Sequence, residues 1–118
     1  MKTSYFGNPK LKLFKDETLV SISMRPPKFI LDRNIRIYKP LCPSWNLVSN
    51  YKEKRISEEE YIKRYYTEHL IKLNPQQVFE DIGKDSIILC YEKSGDFCHR
   101  QLVAKWLSKN LFIEITEL

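Results

Sequence analysis

Two thiols, an imidazole, a guanidinium and a carboxylate fall close together in this chain, as Cys90, Glu92, Cys98, His99 and Arg100. A thiolate is a nucleophile, and a helix start or a nearby cation stabilises it. Arginine presents a fixed fork that fits phosphate or carboxylate. Histidine exchanges protons near neutral pH. The local order of residues says how these groups are held. The apolar run Ile87-Ile88-Leu89 stops at Cys90, a short polar turn follows, and Cys98-His99-Arg100 opens an amphipathic helix. In α/β proteins ligands sit at such strand-to-helix junctions.

Alternation along a strand sets Ile88, Cys90 and Glu92 on one side and Ile87, Leu89 and Tyr91 on the other. Cys98 falls at or near the helix start, where unpaired NH groups and the positive dipole end favour an anion. The resulting expectation is an anion held by Arg100 and backbone NH groups. Cys90 or Cys98 would be the nucleophile and His99 or Glu92 the proton carrier. A plainer reading stands beside it. Cys98, Leu102 and Trp106 recur at helical spacing, and buried cysteines are common and inert. Arg100 can instead form a structural salt bridge with Asp96 or Glu92.

Spacing argues against several sharper assignments. A cysteine phosphatase loop requires an arginine at a fixed distance after its cysteine, and the corresponding positions hold Asp96 and Ala104. Cys90 and Cys98 are too far apart along the chain for a Cys-x-x-Cys redox pair. A zinc site built from Cys90, Cys98, His99 and either Cys42 or His69 follows none of the usual zinc spacings, so no metal is assigned. His69 reads as a core histidine with its hydrogen bonds satisfied. Tyr61, Tyr65 and Tyr66 read as helix packing, and Glu58-Glu59-Glu60 as an acidic helix start.

These residues sit in a chain of 118 residues, 42% hydrophobic and 30% charged, which implies one soluble domain over residues 1–118. Its 3 glycines leave no room for a glycine-rich phosphate loop. No apolar stretch approaches a membrane span, and the start lacks the apolar region of a signal peptide, so the cytoplasm is the expected compartment. With 3 cysteines, reduced thiols are expected there. The net charge of +5 is uneven: residues 1–43 hold 9 Lys or Arg against 3 Asp or Glu (9 − 3 = +6), and residues 44–118 hold 11 against 12 (11 − 12 = −1). Such a basic third either serves solubility or recruits phosphate-bearing partners, nucleic acid among them.

The elements that must position the site follow from periodicity and caps. Residues 2–6 and Leu19–Met24 read as strands, the second ended by Pro26 and Pro27. Leu11 and Leu13 alternate with lysines as in an edge strand or extended arm, and residues 28–43 read as loop. Ser44 caps a helix over Trp45–Tyr51. Ser57 and Glu60 form a capping box before an apolar stripe of Ile62, Tyr65, Tyr66, His69, Leu70 and Leu73. Asn74 and Pro75 open another helix, which Gly83 closes. Ile87–Tyr91 reads as a central parallel strand. A helix over 98–109, with Leu102, Val103, Trp106 and Leu107 on one stripe, and a strand over 112–115 complete a βαβ unit.

Leu89-Cys90-Tyr91-Glu92-Lys93, followed by Cys98-His99-Arg100 and Leu102-Val103-Ala104, resembles the signature of the family called domain of unknown function 488. That signature is an apolar strand ending in Cys-x-Glu and a Cys-His-Arg opening a helix. The start Met1–Phe6 and the region around Pro43, Trp45 and Tyr51 resemble its short members. Longer members carry Asp-x-Arg after the second strand. Here Arg25, in Ser23-Met24-Arg25-Pro26-Pro27, matches that arginine and joins Cys98 and Arg100 as a candidate ligand-binding residue, while the aspartate is absent. The resemblance implies a small Rossmann-like three-layer α/β domain with a mainly parallel sheet and a pocket at its strand ends. It implies no activity or cofactor. The expected function is binding of a small anionic ligand, such as a nucleotide, at the junction. The alternative is a non-catalytic module that meets nucleic acid or another acidic partner through the basic third.

Overall fold

The structure, a computed structural model, describes residues 1–92 and 97–118. The described strands are β1 (Lys2–Tyr5), β2 (Thr18–Ser21), β3 (Phe29–Ile30), β4 (Arg33–Ile37), β5 (Ser86–Cys90) and β6 (Thr116–Glu117). They join in the order β3-β4-β2-β5-β1-β6. All pairs are parallel except β3 with β4. The helices are α1 (Trp45–Lys52), α2 (Glu58–Glu68), α3 (Pro75–Ile82) and α4 (His99–Leu111). The protein is therefore a small three-layer α/β domain with a mainly parallel sheet. Among the described residues, no helix is long and apolar enough to cross a membrane.

β5 is buried at every position and lies between β1 and β2, which explains its unbroken run of apolar residues. Its alternation sorts the core. Ile88 and Cys90, with Val20 and Ile22, pack against Leu47 of α1, Tyr61 and Tyr65 of α2, Val78 and Ile82 of α3, and Val103, Trp106 and Leu107 of α4. Ile87 and Leu89 face the other way, toward Leu19, Phe6 and Leu11. The four α-helices thus contribute to the core on one face. The opposite face is covered by the short 3-10 helix Pro9–Leu13 and Phe14.

The helix starts follow the capping residues. Ser44 Oγ accepts from the NH of Leu47, Ser57 Oγ from Glu60 and Asn74 Oδ1 from Gln77, each satisfying a donor that the first helical turn leaves open. Gly83 ends α3 at φ 93°, a conformation that costs a glycine little.

Several elements differ from the sequence expectation. Leu11 and Leu13 belong to the 3-10 helix, not to an edge strand, because Asn8 caps Lys10 and Pro9 sits at the first turn. β2 stops at Ser21, where the Ser21 hydroxyl bonds the backbone of Ser23 and turns the chain. The stretch 28–43, read as loop, holds the β3–β4 hairpin and a 3-10 turn at Lys39–Leu41. That hairpin turns through Leu31 and Asp32 at φ 50° and 60°, residues that carry no usual hairpin signal. In α2 the buried tyrosines are Tyr61 and Tyr65, while Ile62 and Tyr66 are exposed. His69 follows the end of α2, half-buried, and its buried Nε2 meets no hydrogen-bond partner among the described residues, so it is not the satisfied core histidine expected. The last strand lies at Thr116–Glu117, not 112–115, and pairs with β1, so β1 separates β5 from β6.

Phe112 accounts for that last shift. It ends α4 in the left-handed conformation, at φ 56°, with its ring 93% exposed. The backbone there suits glycine, and the ring buries almost nothing. Replacing Phe112 by Gly should raise stability by about 0.5–1 kcal/mol, read as a higher urea midpoint with an unchanged slope. A lower midpoint would show that the aromatic ring contributes packing that its exposure does not reveal.

Candidate functional site

β5 delivers Cys90 at its carboxyl end, and Cys98 is the N-cap residue of α4. The two are 8 residues apart in sequence with Cα atoms 7.2 Å apart, and their sulfurs stand close enough to pair as a disulfide. Reduced thiols throughout were the expectation, and the chain spacing argued against a redox pair. The strand-to-helix turn brings the two cysteines together in space without a short motif. Cys42 stands apart as a buried free thiol, pushed up to about 11 by burial.

Arg100 is the second residue of α4 and is 0% exposed. Its Nε and Nη2 donate to the two oxygens of Glu117 at 3.1 and 2.9 Å, a bidentate fork. Its Nη1 donates to the Glu92 carbonyl at 2.6 Å and to Cys90 Sγ at 3.0 Å. A guanidinium cannot shed its charge at any relevant pH, so burial demands such partners. Asp96, one of the two salt-bridge partners considered from sequence, lies outside the described residues. Glu92 contributes its backbone carbonyl, and the carboxylate comes from Glu117, which sequence reasoning missed.

His99 is buried, and its Nε2 lies 2.7 Å from the Ile22 carbonyl oxygen. A carbonyl has no proton to give, so Nε2 carries the hydrogen and Nδ1 is left as an acceptor, 3.7 Å from Cys98 Sγ. Burial lowers the His99 pKa from 6.5 to about 4; the bond to Ile22 opposes the shift, and the charge of Arg100 adds to it. The imidazole is neutral near pH 7.

A cavity of about 650 Å³ opens at the carboxyl end of the sheet, over the loop after β2 and the starts of α1 and α4. Four sequence candidates line it: Arg25, Glu92, Cys98 and His99. Cys90 and Arg100 lie behind its wall, joined to it through Cys98 and the Glu92 backbone. The cavity also takes in aromatic residues not singled out as site residues, namely Trp45, Tyr51, Tyr61, Tyr91 and Phe97, together with Lys52. The rings of Tyr51, Tyr61 and Phe97 meet one another with centroids 5.1–5.5 Å apart. Trp45, directly after the Ser44 cap, is 78% exposed. An indole in the first turn of a capped helix was the sequence signal for this wall.

Among the described residues, Cys90, Cys98 and His99 bring ligand-type atoms within 4.8 Å of one another. Neither Cys42 nor His69 joins them. Joined as a disulfide the two sulfurs present no thiolate, the form a metal requires; only the reduced pair would. In its oxidised form the arrangement offers a disulfide flanked by one hydrogen-bond donor, Arg100, and one acceptor, His99.

Two measurements follow. Unfolded His99 takes up its proton near pH 6.5 and the folded residue only near pH 4. Its contribution to stability is therefore complete above about 6.5 and is lost as pH falls toward 4, by about 3 kcal/mol. Urea unfolding between pH 7 and 4 should show this loss, and it should shrink in His99→Gln. Parallel curves for the two proteins would mean that His99 is not held neutral. Glu117→Ala, which strands the Arg100 charge, should cost about 3 kcal/mol, less than a fully enclosed pair because Glu117 is one-third exposed. A cost under about 1 kcal/mol, the range of surface pairs, would show that solvent or another group replaces the carboxylate.

Comparison with known proteins gives one family. The family model described as "Active DUF488-N3 subclade" matches residues 6–111. No curated protein matches the chain, and no solved structure does. Since that match spans most of the sequence and includes the Cys-x-Glu and Cys-His-Arg segments, the chain belongs to the domain of unknown function 488 family.

Proposed function

We propose that the protein binds a small anionic ligand of nucleotide size in the cavity between the β2 loop, α1 and α4. One observation carries this reading: a single cavity combines an aromatic wall with cations at Arg25 and Lys52 and with chemically capable groups at Glu92, Cys98 and His99. Aromatic faces stack on a planar base, and a guanidinium pairs with phosphate. The volume of about 650 Å³ lies within the usual range of ligand pockets. Arg25 is exposed and lines the cavity, so it is accessible to an anion entering from outside.

A catalytic role for the site is part of the same reading. Glu92 and His99 line the cavity as proton carriers, and a nucleophilic Cys90 or Cys98 requires the dithiol form. A reducing compartment such as the cytoplasm maintains that form. The description of the matched subclade as active is in keeping with this role. Arg100, with its donors turned to Glu117, Glu92 and Cys90, supports the site from behind instead of meeting the ligand directly.

The alternative, nucleic-acid binding through residues 1–43, draws on a smaller set of cations than the sequence lists. Lys2 pairs with Glu17, and Arg33 donates to the Leu11 and Glu17 carbonyls. Nucleoside monophosphates titrated into the protein should quench the Trp45 emission and saturate. Arg25→Ala should weaken binding about tenfold, the loss of about 1.4 kcal/mol expected for a charge-assisted hydrogen bond. Absence of saturable quenching at millimolar nucleotide, or an affinity unmoved by Arg25→Ala, would overturn the reading. An oligonucleotide that binds with steep salt dependence in both proteins would favour the alternative.

A further inference from the structure

We propose that Cys90 and Cys98 form a thiol–disulfide exchange couple that reacts with small thiols and disulfides entering through the cavity, with Cys98 as the sulfur attacked. The two sulfurs have unequal surroundings. Cys98 lines the cavity; Cys90 does not, and sits at the carboxyl end of β5 behind it. An incoming thiolate therefore meets Cys98 Sγ first. Arg100 Nη1 donates to Cys90 Sγ at 3.0 Å, from a guanidinium held in place by Glu117. That donor stabilises Cys90 as a departing thiolate, and a stabilised thiolate leaves faster. Cys98 stands as the N-cap of α4, where the helix end favours negative charge on its sulfur. Beside it, His99 Nδ1 lies 3.7 Å from Cys98 Sγ, placed to accept from that thiol once the pair is reduced.

The steps balance. A small thiolate RS⁻ attacks Cys98 Sγ; the S–S bond breaks, and Cys90 leaves as a thiolate held by Arg100. A second RS⁻ attacks the R sulfur of the mixed disulfide, giving RSSR and the Cys98 thiolate. The two protons of the thiols consumed end on the two cysteine sulfurs, that on Cys98 facing His99. Two electrons pass from two RSH to the protein disulfide. The reverse sequence oxidises the dithiol at the expense of RSSR.

This exchange does not depend on the nucleotide reading and is measured without nucleotide. The folded full chain is equilibrated in mixtures of reduced and oxidised glutathione, quenched with acid and alkylated, and its cysteines are assigned by mass. Two thiols, Cys90 and Cys98, should appear together as the mixture becomes reducing, while Cys42 stays unmodified. The transient glutathione adduct in the wild-type protein should sit on Cys98. Cys90→Ser should accumulate that adduct, and Cys98→Ser should lose exchange. An adduct on Cys90, or two cysteines that remain unpaired in oxidised glutathione, would overturn the proposal. Because the adduct is located in the wild-type chain, the test stands even where a serine variant fails to fold. Failure of nucleotide binding alongside normal exchange would remove the ligand reading only.

Discussion

A charge with no access to water must be matched by fixed partners, and Arg100 imposes that requirement on the whole fold. Its guanidinium reaches two separate pieces of chain: Glu117 on β6, and the end of β5, at Cys90 Sγ and the Glu92 carbonyl just past it. Thr3 on β1 donates to the same Glu117 carboxylate at 2.6 Å, so a third piece joins the network. The network fixes where α4 begins relative to the sheet. It therefore also sets where Cys98 and His99 stand. Few alternative packings could satisfy such a group, which is how buried ionic groups confer specificity even where their net contribution to stability is modest.

The same geometry explains why the cavity lies where it does. The helices pack on one face of the sheet, and the loop leaving β2 rises beside the start of α4. His99 joins these two edges through its bond to Ile22. Ligand sites of α/β proteins lie beyond the carboxyl ends of strands because loops there are free to vary while the sheet holds still. Here Glu92, Cys98 and His99 share the lining with aromatic side chains.

Local signals in the sequence located the elements whose stability is local. Ser44, Ser57, Asn74 and Gly83 each mark a helix boundary through a bond made within a few residues. The consecutive apolar residues of β5 mark a strand covered on both faces. The alternation that separates Ile88 and Cys90 from Ile87 and Leu89 appears unchanged in the two core clusters. What could not be read was long-range. Strands of two residues, such as β3 and β6, carry too few side chains to show a period, and they exist because a neighbouring strand offers hydrogen bonds. Glu117 gains its role from Arg100, 17 positions away, with no motif linking them. The aromatic wall was visible as helix positions but not as a surface, because α1, α2 and the segment at Phe97 meet only in the folded chain.

The place of β6 in the chain has a consequence for how the protein is made. Synthesis runs from the amino end, and α4 leaves the ribosome before Glu117 does. Until Glu117 emerges, the Arg100 charge lacks its carboxylate, so the helix that carries the site has no settled seat on the sheet. β1 must wait for β5, and for β6 after it, before its hydrogen bonds are complete on both sides. Such distant pairings slow folding and leave strand edges open meanwhile. The nascent chain thus completes its site only after Glu117 has emerged to meet Arg100.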